Sequence, residues 1–204
     1  MRIITVSRQF SSGGRELAKR MADILGFDYY DREIIDEIAK NKSLDSVYVE
    51  ASLNSTSIKA IPLHFARSFS FVAGSGKTEL LIEERRVIEE IAKKGRDFII
   101  VGRNADVILR NYKPFNIFVC ASFDAKIKRC IEKAKGDVIP TEREIAKLIK
   151  QIDRNRERIH TLVSGEKFGQ CDLYHLIVNS TDWQIKELAV SVADFANRFF
   201  GRNQ

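Results

Sequence analysis

The residues best suited to chemistry lie in segment 7–16, which reads SRQFSSGGRE. The segment follows an apolar run, 3–6, and precedes an amphipathic run, 17–25, an order that predicts a buried strand, a glycine-containing loop and a helix. Such a loop presents backbone N–H groups and the positive end of a helix dipole, which suits a phosphate. Small residues would admit the anion and two arginines would add charge: Ser11, Ser12, Gly13, Gly14, Arg8 and Arg15. An ordinary strand-to-helix turn is the alternative explanation of the two glycines.

This loop departs from the standard phosphate-binding motif, G-x-x-x-x-G-K-[ST], in which a lysine reaches the β- and γ-phosphates and a hydroxyl binds Mg²⁺. Depending on which glycine is matched, Gly14 or Arg15 stands at the lysine position, and Arg8 or Gln9 stands at the first glycine. Arg15 can supply charge with a different geometry, because guanidinium is a planar fork and ammonium a point charge. Phosphate binding here therefore needs support from elsewhere in the chain.

A second segment, 74–78, reads GSGKT and looks more like the motif. The first glycine would fall on Phe71, which cannot make the required turn, and residues 58–71 show no strand alternation. We therefore interpret the segment as a flexible Gly/Ser loop in which Thr78 caps a helix over 79–94. The alternative, in which Lys77 belongs to the true phosphate site, stays open.

Strands and helices alternate along the rest of the chain. The patterns predict strands at 27–30, 98–101, 115–120 and 174–178. They predict helices at 31–41, 124–135, 141–159 and 182–200, with Asp31, Thr141 and Asp182 as N-terminal caps. This alternation predicts an α/β fold, a parallel, doubly wound sheet covered on both faces, in a single domain spanning 1–204.

Polar residues that follow the strands are the main candidates for a site, because ligands bind outside the carboxyl ends of such a sheet. Arg103 follows the strand at 98–101 through a glycine, so we expect it in the crevice; a salt bridge to a neighbouring helix is the alternative. Asp31 follows the second strand, where a helix cap explains it equally well. Asp153 and Arg156 are spaced to share a helix face, which a solvated charged face would also explain.

Composition narrows the class of protein further. The 204 residues are 44% hydrophobic and 30% charged, as in globular proteins, and no apolar run could span a bilayer. No signal peptide precedes the first strand, so we expect a cytoplasmic protein without a membrane partner. The three cysteines are not spaced as metal ligands or as a redox pair, which indicates a reducing compartment; they are Cys120, Cys130 and Cys171. The three histidines have no serine, cysteine or acidic residue at a spacing typical of a catalytic group, and we assign them no catalytic role; they are His64, His160 and His175.

The charge balance favours an anionic partner. The net charge is +6 and the isoelectric point is about 9.2. Basic residues are scattered among acidic ones and do not form a tail or an aromatic-flanked stripe. This pattern suits small-molecule nucleotides better than a nucleic-acid groove, so a nucleic-acid partner is the weaker interpretation.

Six blocks together carry a family resemblance: ITVSRQFSSGGRELA, YYDREII, IIVGRNADVIL, FVCASFDAKIKR, IDRNRER and LIVNSTDWQIKELA. In this order they resemble the cytidylate kinase-like group of phosphate-loop proteins over nearly the whole chain, least at 43–78. The resemblance implies a three-layer P-loop kinase-like fold, with a parallel sheet of about five strands flanked by helices. It also implies a variable helical acceptor-side segment at about 43–78 and a lid at about 141–170.

The same resemblance implies roles for individual residues. Those expected to bind the ATP phosphates or lie near the donor base are Arg8, Ser11, Ser12, Gly13, Gly14, Arg15, Glu16, Ser180 and Thr181. Those expected to bind the acceptor are Asp31, Arg103 and Lys126. Those expected to act in catalysis are Arg15, Arg129, Asp153 and Arg156. ATP and Mg²⁺ are the implied cofactors, and the metal ligand stays open between Glu16 and Asp106.

The expected function is ATP-dependent phosphorylation of a nucleoside monophosphate, CMP by resemblance, or of another small acceptor. CMP kinases of this group carry a Gly-Lys loop and an aspartate before the Gly-Arg of the third strand, where this chain has Gly14-Arg15 and Val101. These departures favour the alternative, a non-catalytic nucleotide-binding regulatory or sensing protein on the same fold. The pair of Asp153 and Arg156 favours the enzyme.

Overall fold

The computed structural model describes residues 1–54, 76–134 and 140–202. The chain divides into two compact units, one comprising Met1–Tyr29 and Arg96–Gln204 and the other Tyr30–Gly95. The single domain expected over 1–204 stays a prediction.

The first unit is built on a five-stranded parallel sheet. Its strands are β1 (Ile3–Arg8), β2 (Asp28–Tyr30), β3 (Phe98–Val101), β4 (Phe115–Cys120) and β5 (Leu176–Asn179). Their spatial order is β2-β3-β1-β4-β5. In the central pairs, Val6 lies opposite Val101 of β3 and Ile117 of β4. The predicted fold class is confirmed.

The helices of the described residues are α1 (Gly14–Leu25), α2 (Glu33–Lys42), α3 (Ser46–Asn54), α4 (Gly76–Lys93), α5 (Ala105–Ile108), α6 (Phe123–Lys133), α7 (Glu142–Ser164) and α8 (Ile185–Gly201). Helices α1 and α8 pack on one face of the sheet, where Leu17, Met21 and Val192 join a buried cluster with Ile4 and Ile117. Helix α5 contacts β1. None of the described helices is long and apolar enough to cross a membrane.

The predicted cap of α7 is confirmed. The Thr141 side chain accepts a hydrogen bond from the Glu144 N–H at 3.3 Å, and the Glu144 carboxylate accepts one from the Thr141 N–H at 2.8 Å. This reciprocal pair satisfies two backbone donors that the first turn leaves without helical partners.

Three other predicted caps are wrong. Helix α2 begins after Arg32, one residue beyond Asp31, and the Glu33 carboxylate accepts the N–H of Asp31. Helix α8 begins after Gln184, because a turn bonding the N–H of residue 183 to the carbonyl of residue 180 encloses Asp182. Helix α4 begins at Gly76, which places Thr78 inside its first turn.

The second unit contains α2, α3 and α4. Glu83 of α4 is 8% exposed and accepts hydrogen bonds from Asn41 of α2 at 2.9 Å and from Arg86 at 2.6 Å. Lys77 lies in the first turn of α4 and is partly buried, which lowers the pKa of its ammonium. The predictions for residues 58–71, the Gly/Ser loop before Gly76 and His64 lie outside the described residues.

Candidate active site

The loop of residues 9–13 connects β1 directly to α1. Gly13 is the N-cap of α1 with φ +82°, and a Cβ there would collide with the side chain of Ile185. A Cβ on Gly14 would lie 2.7 Å from Cβ of Arg8 and 3.2 Å from Cβ of Val119. Gly13 therefore lets the loop lie close against α8, and Gly14 lets the start of α1 lie close against the sheet.

The loop also contains a residue in an unfavourable backbone conformation. Ser11 has φ +58°, which costs a non-glycine residue roughly 1–2 kcal/mol. Ser11 and Gly13 both have left-handed backbone conformations, so the N–H groups of this short loop do not point as they would in a helix or a strand. Arg15, in the first turn of α1, is exposed. The positive end of the α1 dipole lies at the same place.

Gln9 connects the loop to the end of β4, a role that the sequence analysis missed. Its Oε1 accepts hydrogen bonds from the Ala121 N–H and from Lys126 Nζ, both at 3.3 Å. Its backbone carbonyl accepts the Ser12 hydroxyl at 2.9 Å, and its N–H donates to Val119 at 2.9 Å. The available signal was that Gln9 stands at a possible first-glycine position of the motif, where a side chain is unusual.

Helix α7 contacts the loop through Asp153 and Arg156, which share one helix face as predicted. Asp153 accepts the Phe10 N–H at 2.6 Å and pairs with Lys126 at 3.0 Å. Arg156 donates to the Arg8 carbonyl at 3.1 Å, and its guanidinium lies 5.9 Å from the centre of the Phe10 ring. The side chains of Lys126, Asp153 and Arg156 are 7%, 22% and 25% exposed, so these contacts are largely shielded from solvent.

Ser180 follows the edge strand β5 and connects the loop to that edge of the sheet. Its fully buried hydroxyl donates to the Ser12 carbonyl at 2.6 Å. Arg129 of α6 donates to the Ser180 hydroxyl at 3.3 Å and to its carbonyl. The neighbouring Thr181 hydroxyl accepts the Ser122 N–H at 2.9 Å. Ser12, Arg129 and Ser180, chosen from separate parts of the sequence, are thus brought together.

The turn after β3 has an unusual backbone. Gly102, Arg103 and Asn104 have φ values of +67°, +60° and +51°, three left-handed residues in succession. A Cβ on Gly102 would overlap the guanidinium of Arg8, so the Arg8 side chain lies directly against this turn. Asp31, predicted to line the same pocket as Arg103, lies in the second unit and is 5% exposed.

The two candidate metal ligands have different surroundings. Asp106 is buried, with its Oδ2 3.0 Å from Nε2 of His160. Glu16 is partly exposed on α1 and pairs with Arg20 at 3.0 Å and with Lys133 at 3.4 Å. Within the described residues, no group of three or more His, Cys, Asp or Glu side chains is arranged to hold a metal ion.

The arrangement suits an anion at the carboxyl edge of the sheet. The loop is contacted from the ends of β4 and β5 and from α7, and the turn after β3 lies against Arg8 at the end of β1. Five cationic side chains lie on these elements, on the first turn of α1 or on α6: Arg8, Arg15, Lys126, Arg129 and Arg156. Asp153 contributes a negative charge beside them, because it pairs with Lys126 and lies 3.9 Å from Arg156. Because a partly buried cluster of like charges favours bound counter-charge, the edge can hold a multiply charged anion.

Comparison with known proteins gives a consistent result. Residues 3–182 match the model of the cytidylate kinase-like family. Among solved structures, an uncharacterized protein from Eubacterium ventriosum is 22% identical, with a TM-score of 0.70, over 97% of this chain and 99% of that one. Shikimate kinase from Bacteroides thetaiotaomicron is 15% identical, with a TM-score of 0.58, over 96% and 98% of the two chains. Among curated proteins no match is found. These likenesses to solved structures show the fold.

Proposed function

We propose that this chain, which belongs to the cytidylate kinase-like family, is a nucleotide-binding phosphotransferase that uses ATP and Mg²⁺ to phosphorylate a small acceptor. CMP is the acceptor suggested by the family resemblance, and another small acceptor is the alternative. The observation that best supports the proposal is the loop of residues 9–13: Lys126 and Asp153 bond to it, and the Arg156 guanidinium lies over the Phe10 ring. Phosphoryl transfer requires mainly such positioning and charge neutralisation.

The end of β1 supports one alignment of the loop with the phosphate-binding motif. Because the strand ends at Arg8 and the helix begins at Gly14, Gln9 and Gly14 correspond to the two motif glycines. Arg15 then stands at the lysine position and Glu16 at the hydroxyl position. We propose that Arg15 supplies the missing cation to the donor phosphates, at the positive end of α1.

Glu16 is the better of the two candidate metal ligands. Mg²⁺ prefers oxygen ligands, keeps several waters and is completed by substrate phosphates, so one carboxylate suffices. Asp106 is buried and paired with His160, whereas Glu16 is partly exposed beside the loop. Mg²⁺ held there with ATP would neutralise phosphate charge during transfer.

The remaining residues would act by position and charge. We propose that Arg103 binds the acceptor phosphate, for which a guanidinium offers two parallel donors. The role of Asp31 in acceptor binding stays a prediction of the family resemblance. Lys126, Arg129 and Arg156 would balance charge on the transferring group. Asp153 would keep Lys126 in place through the 3.0 Å ion pair and fix the loop through the Phe10 N–H.

A nucleotide sensor is the second candidate, and the carboxylate of Asp153 is the observation that favours it. That carboxylate already occupies Lys126 and a backbone donor of the loop. Asp153 therefore holds Lys126 and the loop before any phosphoryl group moves, and such an arrangement serves nucleotide binding without phosphoryl transfer. For either function we propose a cytoplasmic location, which three free cysteine thiols support.

The choice of loop is tested by ATP binding, measured by calorimetry. Arg15→Ala should weaken ATP binding by about 1.5–3 kcal/mol, the value of a charge-assisted contact. Lys19→Ala, an exposed change on the same helix, is the matched control and should leave the affinity unchanged. Normal affinity in Arg15→Ala with a large loss in Lys77→Ala would overturn the assignment.

The enzyme and the sensor are separated by product formation. The acceptor panel should include nucleoside monophosphates, nucleosides, small sugars and shikimate, each with ATP and Mg²⁺. We expect slow but measurable transfer to at least one acceptor, because the cations at the loop can stabilise developing charge. Tight ATP binding without transfer to any acceptor would leave the sensor.

A further inference from the structure

A buried acid–base pair joins α7 to α5 away from the loop of residues 9–13. His160 Nε2 lies 3.0 Å from Asp106 Oδ2, and the two side chains are 2% and 5% exposed. The other ring nitrogen, Nδ1, lies 3.2 Å from the Ser164 hydroxyl, and the Phe168 ring lies 5.3 Å from the imidazole. Both polar ends of the imidazole are thus engaged, which fixes its orientation.

The Asp106 end of this pair adjoins the left-handed turn after β3. Two of the three left-handed residues, Arg103 and Asn104, are not glycine, so each adopts a backbone conformation that is unfavourable for its side chain. Such a conformation persists only where the surroundings hold it. The Gly102 N–H bonds to the Val6 carbonyl at 3.0 Å on one side, and Asp106, bound to His160, lies on the other.

The His160 end lies on the helix face that contacts the loop. Asp153, Arg156 and His160 follow the i, i+3, i+7 spacing of one face of α7. The first two contact the loop of residues 9–13, and His160 contacts α5. Helix α7 is therefore fixed at two points, roughly 6 Å apart along its axis from Arg156 to His160.

We propose that Asp106 and His160 are positioning residues: their contact holds the turn of Gly102, Arg103 and Asn104 in its left-handed conformation and sets the position of α7 over the loop. Arg103 and Arg156 are thereby placed relative to one another. The conformational part of this inference stands on contacts within the first unit. Its consequence for catalysis rests on the proposed function.

The charges around His160 make this contact dependent on pH. Burial lowers the pKa of His160, but the hydrogen bond and charge of Asp106, together with Glu166, outweigh burial and raise it. Glu166 pairs in turn with Arg110 at 3.6 Å, and the charge of Asp106 also acts on the Tyr174 hydroxyl. The contact is therefore strongest with His160 protonated, and it weakens as the pH rises through the raised pKa.

Hydrogen exchange of backbone amides in the full chain without ligand tests the conformational role. Asp106→Asn should raise exchange about tenfold at residues 102–107 and 153–164, with little change in β1 and β4. Asp172→Asn, a change at an exposed aspartate, is the matched control and should change neither region. Unchanged protection in Asp106→Asn, or a uniform rise throughout the unit, would overturn the proposal.

His160→Gln provides a second test if Asp106→Asn does not fold. Glutamine can place a donor near the position of Nε2 but carries no charge. Amide exchange in His160→Gln should therefore match that of wild type at high pH, where His160 is neutral, and exceed it at low pH, where His160 is charged. Equal exchange in the two proteins at low pH would refute the charged contact. NMR titration of the His160 ring should also show a lower pKa in Asp106→Asn than in wild type, and an unshifted titration would count against the pair.

Kinetics separate this inference from the proposed function. If wild type transfers phosphate, Asp106→Asn should raise the KM for the acceptor, because Arg103 is no longer held in place. An unchanged KM for the acceptor would refute the placement of Arg103 by this pair. If wild type transfers no phosphate, the proposed enzyme fails, and the exchange experiment still decides whether Asp106 and His160 hold the turn.

Discussion

The two halves of the Lys126–Asp153 ion pair should differ in what their removal costs. Asp153→Asn leaves an ammonium that is 7% exposed and keeps Gln9 Oε1, 3.3 Å away, as its hydrogen-bond acceptor. Lys126→Met leaves a carboxylate that is 22% exposed and still accepts the Phe10 N–H at 2.6 Å, with Arg156 3.9 Å away. The charge left by the first substitution is therefore the more poorly compensated one.

The size of the difference follows from burial. Removing one partner of a buried pair costs about 3–5 kcal/mol, and we expect Asp153→Asn to fall near the lower end because the carboxylate is partly exposed. Lys126→Met should cost about 1–2 kcal/mol, because methionine keeps the apolar stem and the carboxylate keeps other partners. In a protein of this size, each kcal/mol lowers the Tm by about 2–4 °C.

Urea unfolding of both variants measures the difference. Exposed residues on the same helices provide matched controls: Lys128→Met on α6 and Glu157→Gln on α7 should each stay within about 0.5 kcal/mol of wild type. The double variant should recover about 1–3 kcal/mol relative to the sum of the singles. An equal or larger loss in Lys126→Met than in Asp153→Asn would refute the reasoning from residual partners.

Two further predictions concern packing and pH. Gly14→Ala should lower the free energy of unfolding by about 1–3 kcal/mol, because the new Cβ would lie 2.7 Å from Cβ of Arg8. Gly201→Ala is the control and should not destabilise the protein, because a Cβ there meets nothing within 4 Å. Equal Tm values for the two variants would contradict the close approach at Gly14. The hydrogen bond from Arg86 lowers the pKa of Glu83 despite burial, and Asn41 adds to the effect. The stability that Glu83 contributes is therefore present above the pKa of its carboxyl in the unfolded chain and is lost as the pH falls through the lower pKa of the folded protein. Urea midpoints from pH 3 to 7 should fall less steeply for Glu83→Gln than for wild type, and parallel curves would refute this.

Local patterns in the sequence determined most of the fold. The continuous apolar run at 98–101 coincides with β3, and the mostly apolar run at 115–120 coincides with β4, because strands covered on both faces are largely apolar. The capping box of Thr141 was readable because both of its partners lie within one turn. The same local reasoning failed at Asp31 and Asp182, because the helices begin farther along the chain, after Arg32 and after Gln184.

The sequence also supplied the candidate residues of the site, but it could not pair them. The phosphate-loop pattern and the helix-face spacing indicated Arg15, Asp153 and Arg156. Neither pattern indicated that Asp153 would bond to Phe10, 143 positions earlier, or that Gln9 would accept Lys126, 117 positions later. Such contacts depend on how far α7 and α6 extend over the sheet, which no periodicity encodes.

The pair of Asp106 and His160 shows the same limit most clearly. The sequence indicated Asp106 as a possible metal ligand and no catalytic role for His160, since nothing within a few residues of either points to the other. The tertiary structure buries them 3.0 Å apart. Hydrophobic periodicity fixes which face of an element is buried, whereas the partner of a buried polar group is fixed only when separate elements meet and leave it one group to bond with.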